Sequence, residues 1–176
     1  MRITKHIAAL RSDRRGVAAI EFAIFASLIS IGMLNVTDIA VYVYQRMQVE
    51  YATQAGAQAA WHHCTINQLP ATTNCSGLNT AVTNAVQSTS LGTHVTLQSG
   101  SPSEGYYCVN SSGVLQRMSD VSSKPADCSA AGSAGVQPAD YVVISTTFAY
   151  APLFPGITVA GTFATPITRT AMMRLG

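Results

Sequence analysis

A pair of arginines and a glycine stand directly before a long apolar run that contains a carboxylate. The stretch is RRGVAAIEF, residues 14–22. Gly16 has no Cβ, so its backbone can adopt an extended shape that fits a narrow protease site. Arg14 and Arg15 favour the anionic inner face of a membrane. Taken alone, the basic pair and the glycine favour an uncleaved signal anchor; with Glu21 and Phe22 added, the alternative is a proteolytic processing site beside a membrane helix.

The composition indicates a membrane-associated or secreted protein. Only 10% of the 176 residues are charged, whereas soluble domains average about 25%. Five of the ten basic residues precede Gly16, against one acid, Asp13. The other five basic and seven acidic residues give residues 17–176 a net charge of −2. The positive charge is therefore local, and it provides no argument for nucleic-acid binding.

The apolar run is long enough to cross a membrane once. Val17–Tyr44 contains only two charged residues, Glu21 and Asp38, and about 20 apolar residues span a bilayer. The basic cluster then places residues 1–16 in the cytoplasm and the rest of the chain outside. The run is too long for a secretory signal peptide, and the first small-residue cluster, 55–60, comes too late for its cleavage site. Asp38 is interpreted as an interfacial carboxylate, with a specific pairing as the alternative.

The leader, the glycine and the carboxylate together resemble the prepilin signature. In that signature residues 1–16 are the leader, Val17 is the new N-terminus and Glu21 is at the fifth mature position. The pair Glu21-Phe22 resembles the tight-adherence (Tad) pilus system, whose small members are the TadE-like minor pilins or pseudopilins. Three further segments resemble that family: the alanine-rich helix that follows Asp38, and the two closing segments VVISTTFAYAPLFPG and FATPITRTAMMR.

The resemblance implies a function and a set of partners. A prepilin peptidase cuts the Gly16–Val17 bond, and Glu21 pairs with the new α-amino group during assembly. Implied partners are other pilin and minor pilin subunits, the Tad inner-membrane assembly platform and membrane lipid. The protein is then a single-pass protein of the bacterial inner membrane with a periplasmic C-terminal domain, extracellular once it is assembled. The alternative is a monomeric membrane-anchored periplasmic binding domain.

The periodicity predicts an α+β fold, with a long N-terminal transmembrane helix that continues into a small antiparallel sheet. The transmembrane segment is 17–44, its helical continuation 45–62 and the exported domain 63–176, with the helix ending in a turn at Trp61. Small residues line one face of the continuation, and we expect them to pack on the protein's own sheet in preference to a neighbouring subunit: Ala52, Ala55, Gly56, Ala59 and Ala60.

The rest of the exported domain combines one helix with four strands. A helix is predicted over 78–87 and a long loop over 119–139. The predicted strands are 94–98, 105–110, 141–148 and 162–173. Pro166 indicates that the last strand is an edge or bulged strand, and Pro155-Gly156 predicts a turn before it.

All four cysteines, Cys64, Cys75, Cys108 and Cys128, lie on the exported side, where two disulfides are expected. Three connectivities are possible, and the sequential pairs are favoured because they close the shortest loops. WHHC (61–64) lacks the second half of a spaced metal-ligand motif, so no metal site is expected. No catalytic motif or cofactor-binding motif is evident, and an enzyme is not expected.

Overall fold

The computed structural model describes residues 15–176, so the predictions for Arg14 and for most of the leader lie outside the described residues. The chain forms two compact units. The helix unit combines the described residues up to Tyr42 with Pro152–Phe163. The sheet unit combines Val43–Ala151 with Ala164–Gly176.

The first helix, α1, spans Arg15–His63 and contributes residues to both units. No proline interrupts it, and alanine and other good helix formers continue through residue 60. The helix ends at His63, one residue after the predicted continuation 45–62, so Trp61 is still helical and does not begin the closing turn; the N–H of Cys64 still bonds to Ala60. A new turn begins at Thr65, whose capping box starts a short 3₁₀ helix.

Two shorter helices of the sheet unit follow. The helix α2 spans Ala71–Asn74, and α3 spans Leu78–Val86, close to the predicted 78–87. Gly77 precedes α3 with a φ of 83°, a left-handed conformation that favours glycine. Buried apolar side chains of α3 recur one turn apart, which is the pattern of a helix that packs on one face.

A five-stranded antiparallel sheet forms the rest of the sheet unit. Its strands are β1 (Val95–Leu97), β2 (Ser103–Val109), β3 (Leu115–Asp120), β4 (Ala139–Phe148) and β5 (Ile167–Arg174). The central strand β4 pairs with β5 along one edge. Along its other edge β4 pairs with β2 and then with β1. β3 extends the sheet beyond β2.

The α+β class and a small antiparallel sheet are confirmed, with three differences in detail. The sequence analysis did not predict β3 and placed a loop from 119 onward, although β3 ends at Asp120. The last strand begins at Ile167, because Val159–Thr162 forms a 3₁₀ helix and Pro166 cannot donate to a strand ladder. β5 pairs only with β4 among the described strands, which matches the edge position that Pro166 indicates.

Small residues of α1 pack on the protein's own sheet, as expected. Ala52, Gly56 and Ala60 are buried within the sheet unit. A Cβ placed on Gly56 would lie 2.8 Å from Val86 Cγ2 and 3.3 Å from Ile144 Cγ2. The absence of a side chain at Gly56 therefore permits the close approach of α1 to α3 and β4.

Burial alternates along β4, which shows that one face of the sheet covers the core. Val142 and Ile144 are fully buried on that face. Thr146 is also buried there, and its hydroxyl lies 2.6 Å from the hydroxyl of Thr53 on α1. The hydrogen bond between the two hydroxyls satisfies polar atoms that the core removes from water.

Candidate functional site

The N-terminal part of α1 exposes large apolar side chains on every side. This part of the helix is long and apolar enough to cross a membrane. Soluble helices bury one apolar stripe, whereas a helix that is apolar all round belongs in a core or a membrane. The exposed apolar residues include Val17, Ile20, Phe22, Ile24, Phe25, Leu28, Ile29, Ile31, Met33 and Val36.

The uncharged polar side chains of this segment bond back to the helix itself. The hydroxyls of Ser27, Ser30 and Thr37 donate to the carbonyls four residues earlier over 2.7, 2.7 and 2.9 Å. The amide of Asn35 donates to the carbonyl of Ile31 over 2.9 Å. Such bonds hide polar groups that lipid cannot solvate.

Glu21 is different from these neighbours. It is exposed among apolar side chains, and its carboxylate has no hydrogen bond or ion pair with any residue of 15–176. An ionisable side chain within the apolar part of a membrane helix is costly and marks a functional position by default. Phe22, with 74% of its surface exposed, follows it directly.

The predicted cleavage position lies in the first turns of α1. Arg15, Gly16 and Val17 are helical, so the Gly16–Val17 bond is not in the extended conformation that a protease site requires. No atom lies within 4 Å of a Cβ built on Gly16. Unwinding one terminal turn at a glycine is inexpensive, because glycine weakens a helix by about 1 kcal/mol relative to alanine.

Asp38 has specific hydrogen-bond partners in the helix unit. The sequence favoured a carboxylate at the membrane interface, with a specific pairing as the alternative, and the structure shows the pairing. Its carboxylate is fully buried. It accepts the backbone N–H of Leu153 over 2.8 Å and that of Phe154 over 3.2 Å, and also the hydroxyl of Thr158. Three donors compensate for the lost hydration of one charge.

The partners of Asp38 belong to Pro152–Phe163, which we call the clasp segment. Asn35, one turn before Asp38, accepts the N–H of Val159 over 2.9 Å and holds the segment at a second point. Pro155-Gly156 forms the predicted turn, with a Gly156 φ of 78°. The clasp segment therefore lies against α1 near residues 35–38, held by side chains that project from one helix face.

Both disulfides of the sheet unit are present. Cys64 bonds to Cys75 and Cys108 to Cys128, the sequential pairing that the sequence analysis favours. The first bridge connects the segment after α1 to the end of α2. The second connects β2 to the segment that precedes β4, within the predicted loop.

The histidines before Cys64 are not part of a metal cluster. Nε2 of His63 lies 3.1 Å from the carbonyl oxygen of Ser76. Within residues 15–176, no group of three or more His, Cys, Asp or Glu side chains is placed to hold a metal ion.

The sequence analysis missed a pair of buried carboxyl groups on the core face of the sheet. Glu104 on β2 accepts the N–H groups of Ala71 and Thr72, each over 2.7 Å, and the Thr72 hydroxyl over 2.7 Å. Burial, followed by the charge of Glu104 and a hydrogen bond to it, raises the pKa of Asp140 to about 7, while Lys124 opposes the shift. The alternating pattern of β4 was the available signal, since it places Asp140 on the same face as Val142.

In comparisons with family models, with curated proteins and with solved structures, none matches this chain. The geometry alone therefore indicates what the site can do. One exposed apolar helix carries a carboxylate, Glu21, that has no partner within residues 15–176, and a disulfide-bonded sheet unit follows it along the chain. Such a helix can associate with lipid or with other apolar helices.

Proposed function

We propose that the protein is a minor pilin or pseudopilin of a tight-adherence secretion system. It is processed by a prepilin peptidase at the Gly16–Val17 bond and takes part in pilus assembly and surface adhesion. Before assembly the helix unit anchors it in the bacterial inner membrane, with the sheet unit in the periplasm. Its partners are other pilin subunits and the inner-membrane assembly platform.

The state of Glu21 is the observation that carries this proposal. Six polar side chains lie between Val17 and Asp38, counting Asp38 itself. Five of them have hydrogen bonds within the described residues, and Glu21 has none. A simple anchor gains nothing from one unsatisfied carboxylate in its apolar segment, because inserting a charge is unfavourable, by about 2.5–3.5 kcal/mol at the centre of a membrane helix and less near its ends. Assembly with a cationic partner accounts for that cost.

Cleavage after Gly16 supplies such a cation. The α-amino group of Val17 has a reference pKa of about 7.7–8.0, and it lies about one helical turn from Glu21. In a filament, the amino group of an adjacent subunit can form the same pair. A buried ion pair is far less costly than one buried charge without a partner, and it also fixes the axial register between subunits.

Processing is tested by co-expression with a prepilin peptidase, followed by intact mass measurement of the protein recovered from membranes. The expected mass begins at Val17. A mass that begins at Met1, or near residue 60, contradicts the proposal.

The role of Glu21 is tested by cross-linking to the other pilins. Glu21→Gln is expected to be inserted and cleaved but recovered poorly with its partners, because the amide carries no charge. Ser30→Ala is the matched control, since the Ser30 hydroxyl bonds only to its own helix. Equal recovery of wild type and Glu21→Gln supports the monomeric anchored binding domain.

One observation favours that second candidate function. A cavity of about 420 Å³ opens in the sheet unit, beside the Cys108–Cys128 bridge. Tyr107, Tyr141 and Arg174 contribute to its lining, and the two tyrosine rings meet edge to face at 5.5 Å. A pocket with aromatic walls and a few polar groups can hold a small ligand.

A further inference from the structure

The clasp segment exposes apolar side chains although it is held firmly in place. Leu153, Ile157 and Val159 expose 56%, 58% and 54% of their surfaces. The same segment has buried or half-buried contacts on its other side, where the rings of Phe163 and Tyr42 meet at 4.7 Å. The apolar residues of the segment therefore point in two directions: Phe163 packs on α1, whereas Leu153, Ile157 and Val159 remain exposed within the helix unit.

The charge pattern of this region is unusual for a loop in water. No charged residue occurs between Asp140 and Arg169. Among residues 15–176, the charged side chain to which the segment is hydrogen-bonded is Asp38, which is fully buried and accepts N–H and hydroxyl donors of the segment. Surface loops are normally polar, whereas groups placed against lipid must have their polar atoms satisfied internally.

Several backbone groups of the clasp segment are satisfied in this way. The N–H groups of Leu153 and Phe154 bond to Asp38, and that of Val159 bonds to Asn35. The N–H of Ile157 bonds to Phe154 within the turn, over 3.2 Å. The segment thus presents side chains outward and directs these donors inward.

The position of the segment along α1 matches a membrane boundary. Asp38 is 21 residues after Val17, which corresponds to about 31 Å along the helix axis, and the hydrocarbon core of a bilayer is about 30 Å thick. The exposed apolar side chains of Met33 and Val36 lead up to the same level. The exposed face of the clasp segment is therefore continuous with the apolar surface of the helix unit.

We propose that the clasp segment is a second membrane contact, which inserts Leu153, Ile157 and Val159 into the boundary between acyl chains and headgroups of the leaflet distant from the leader. This inference rests on the proposed membrane anchoring of α1. Asp38 can lie at the boundary because the N–H and hydroxyl donors of the clasp segment solvate its carboxylate in place of water. A second copy of the chain is the competing occupant of the same surface.

The test places a fluorophore that is sensitive to its environment on an engineered cysteine at residue 157. The four native cysteines are bonded in two disulfides, so the new thiol is selectively labelled without reductant. The full chain is reconstituted at one copy per phosphatidylcholine–phosphatidylglycerol nanodisc. Quenching is compared between nitroxides placed near the headgroup, nitroxides placed at the bilayer midplane, and iodide in water.

Two further label positions separate the possible failures. Ile29→Cys lies within the apolar part of α1, and Ser111→Cys lies in the exposed turn between β2 and β3. For Ile157→Cys we expect strong quenching by the shallow nitroxide and a several-fold smaller iodide quenching constant than for Ser111→Cys. Val159→Cys, labelled separately, is expected to show the same quenching as Ile157→Cys. Agreement between the two positions excludes a local effect of one substitution.

The outcomes distinguish the two proposals. If Ile29→Cys is quenched by the midplane nitroxide while residues 157 and 159 are as open to iodide as residue 111, the clasp inference is overturned and membrane anchoring stands. If Ile29→Cys is not quenched by either nitroxide, anchoring fails and the clasp inference fails with it. Shielding of residue 157 that appears only at several copies per nanodisc identifies a second copy as the occupant and also overturns the inference.

Discussion

Glu104 and Asp140 lie on adjacent strands with their carboxyl groups on the buried face of the sheet, where each residue is only 5% exposed. Glu104 already accepts three hydrogen bonds from the first turn of α2. Because the pKa of Asp140 is raised to about 7, Asp140 is the carboxyl group of the two that holds a proton at mildly acidic pH and can donate it in a hydrogen bond to Glu104. This arrangement connects the start of α2 to a group that titrates near neutral pH.

The pH dependence of stability is the first prediction. The pKa of Asp140 is raised from 3.8 to about 7 in the folded protein, so between these values the folded state binds more protons than the unfolded state. The free energy of unfolding must then fall as the pH rises from about 4 to 7 and level off above the folded pKa. After allowance for solvent screening, we expect a loss of about 2 kcal/mol, measured by urea denaturation in detergent.

The variant Asp140→Asn isolates this contribution. An amide can donate to Glu104 at every pH, so the variant is expected to lose the decline and to be more stable than wild type at pH 8. Two other carboxyl groups have lowered pKa values. A hydrogen bond from Ser122 is the main cause for Asp120, and one from the Gly135 N–H is the main cause for Asp127. Their stabilising contributions disappear only below about 3.8 and do not overlap this window. Parallel curves for wild type and Asp140→Asn from pH 4 to 8 would refute the prediction.

The second prediction concerns the close approach at Gly56. Gly56→Ala places a methyl group 2.8 Å from Val86, a stiff and buried side chain. Overpacking of this kind costs about 1–3 kcal/mol, which lowers the thermal midpoint of the sheet unit. Circular dichroism of the full chain in detergent measures the change.

Gly32→Ala is the matched control for Gly56→Ala. It changes a glycine of the same helix, but no atom lies within 4 Å of the added Cβ. Alanine is also the better helix former, so the thermal midpoint is expected to stay the same or rise slightly. If both variants unfold at the same temperature, the packing of α1 on α3 is not as described.

Local periodicity was sufficient to predict the elements that bury one face. The predicted strand 141–148 matches β4 (Ala139–Phe148) to within two residues, because every second residue is buried and apolar residues follow that period in the sequence. The small residues of α1 around Gly56 recur every three or four positions, which places them on one helix face. That spacing was sufficient to predict that this face packs inside the protein. These predictions needed only the identity of neighbouring residues.

Elements that depend on distant partners could not be predicted in this way. LQRMSD, residues 115–120, has little intrinsic strand preference, and it pairs with β2 because Asn110 forms the connecting turn. The Asn110 side chain accepts the N–H groups of Ser112 and Val114 over 3.0 and 2.9 Å. An asparagine before serines and a glycine was the available signal for a hairpin.

The third prediction concerns the Cys108–Cys128 bridge. Replacement of both cysteines by serine removes a cross-link between positions separated by 20 residues, and the chain-entropy model gives about 3 kcal/mol for a loop of this size. We expect faster trypsin cleavage after Arg117, which lies inside the released loop; Lys124 lies there too, but trypsin does not cut the bond before Pro125. Mass spectrometry of timed digests identifies the sites.

The Cys64–Cys75 pair provides the comparison for this experiment. Its replacement by serine releases a different loop, with a separation of 11 residues, and leaves Cys108–Cys128 intact. Cleavage after Arg117 is then expected at the wild-type rate. Equal acceleration in both double variants shows global unfolding and contradicts a local role for either bridge.

The fourth prediction concerns the clasp at Asp38. Asp38→Ala removes the acceptor of the Leu153 and Phe154 N–H groups, and each hydrogen bond to a charged group contributes about 1.5–3 kcal/mol. A loss of about 2 kcal/mol increases local opening about thirtyfold. We therefore expect amide hydrogen exchange in peptides that cover 152–163 to accelerate by that factor in detergent. Asp38→Asn keeps one acceptor oxygen without the charge and should give an intermediate rate.

Thr37→Ala is the control, because the Thr37 hydroxyl bonds to its own helix at Met33. In this variant the exchange rate of the clasp segment should equal that of wild type. Exchange in Asp38→Ala that matches Thr37→Ala would mean that the clasp segment is held by its apolar contacts alone, and that Asp38 has no part in positioning it.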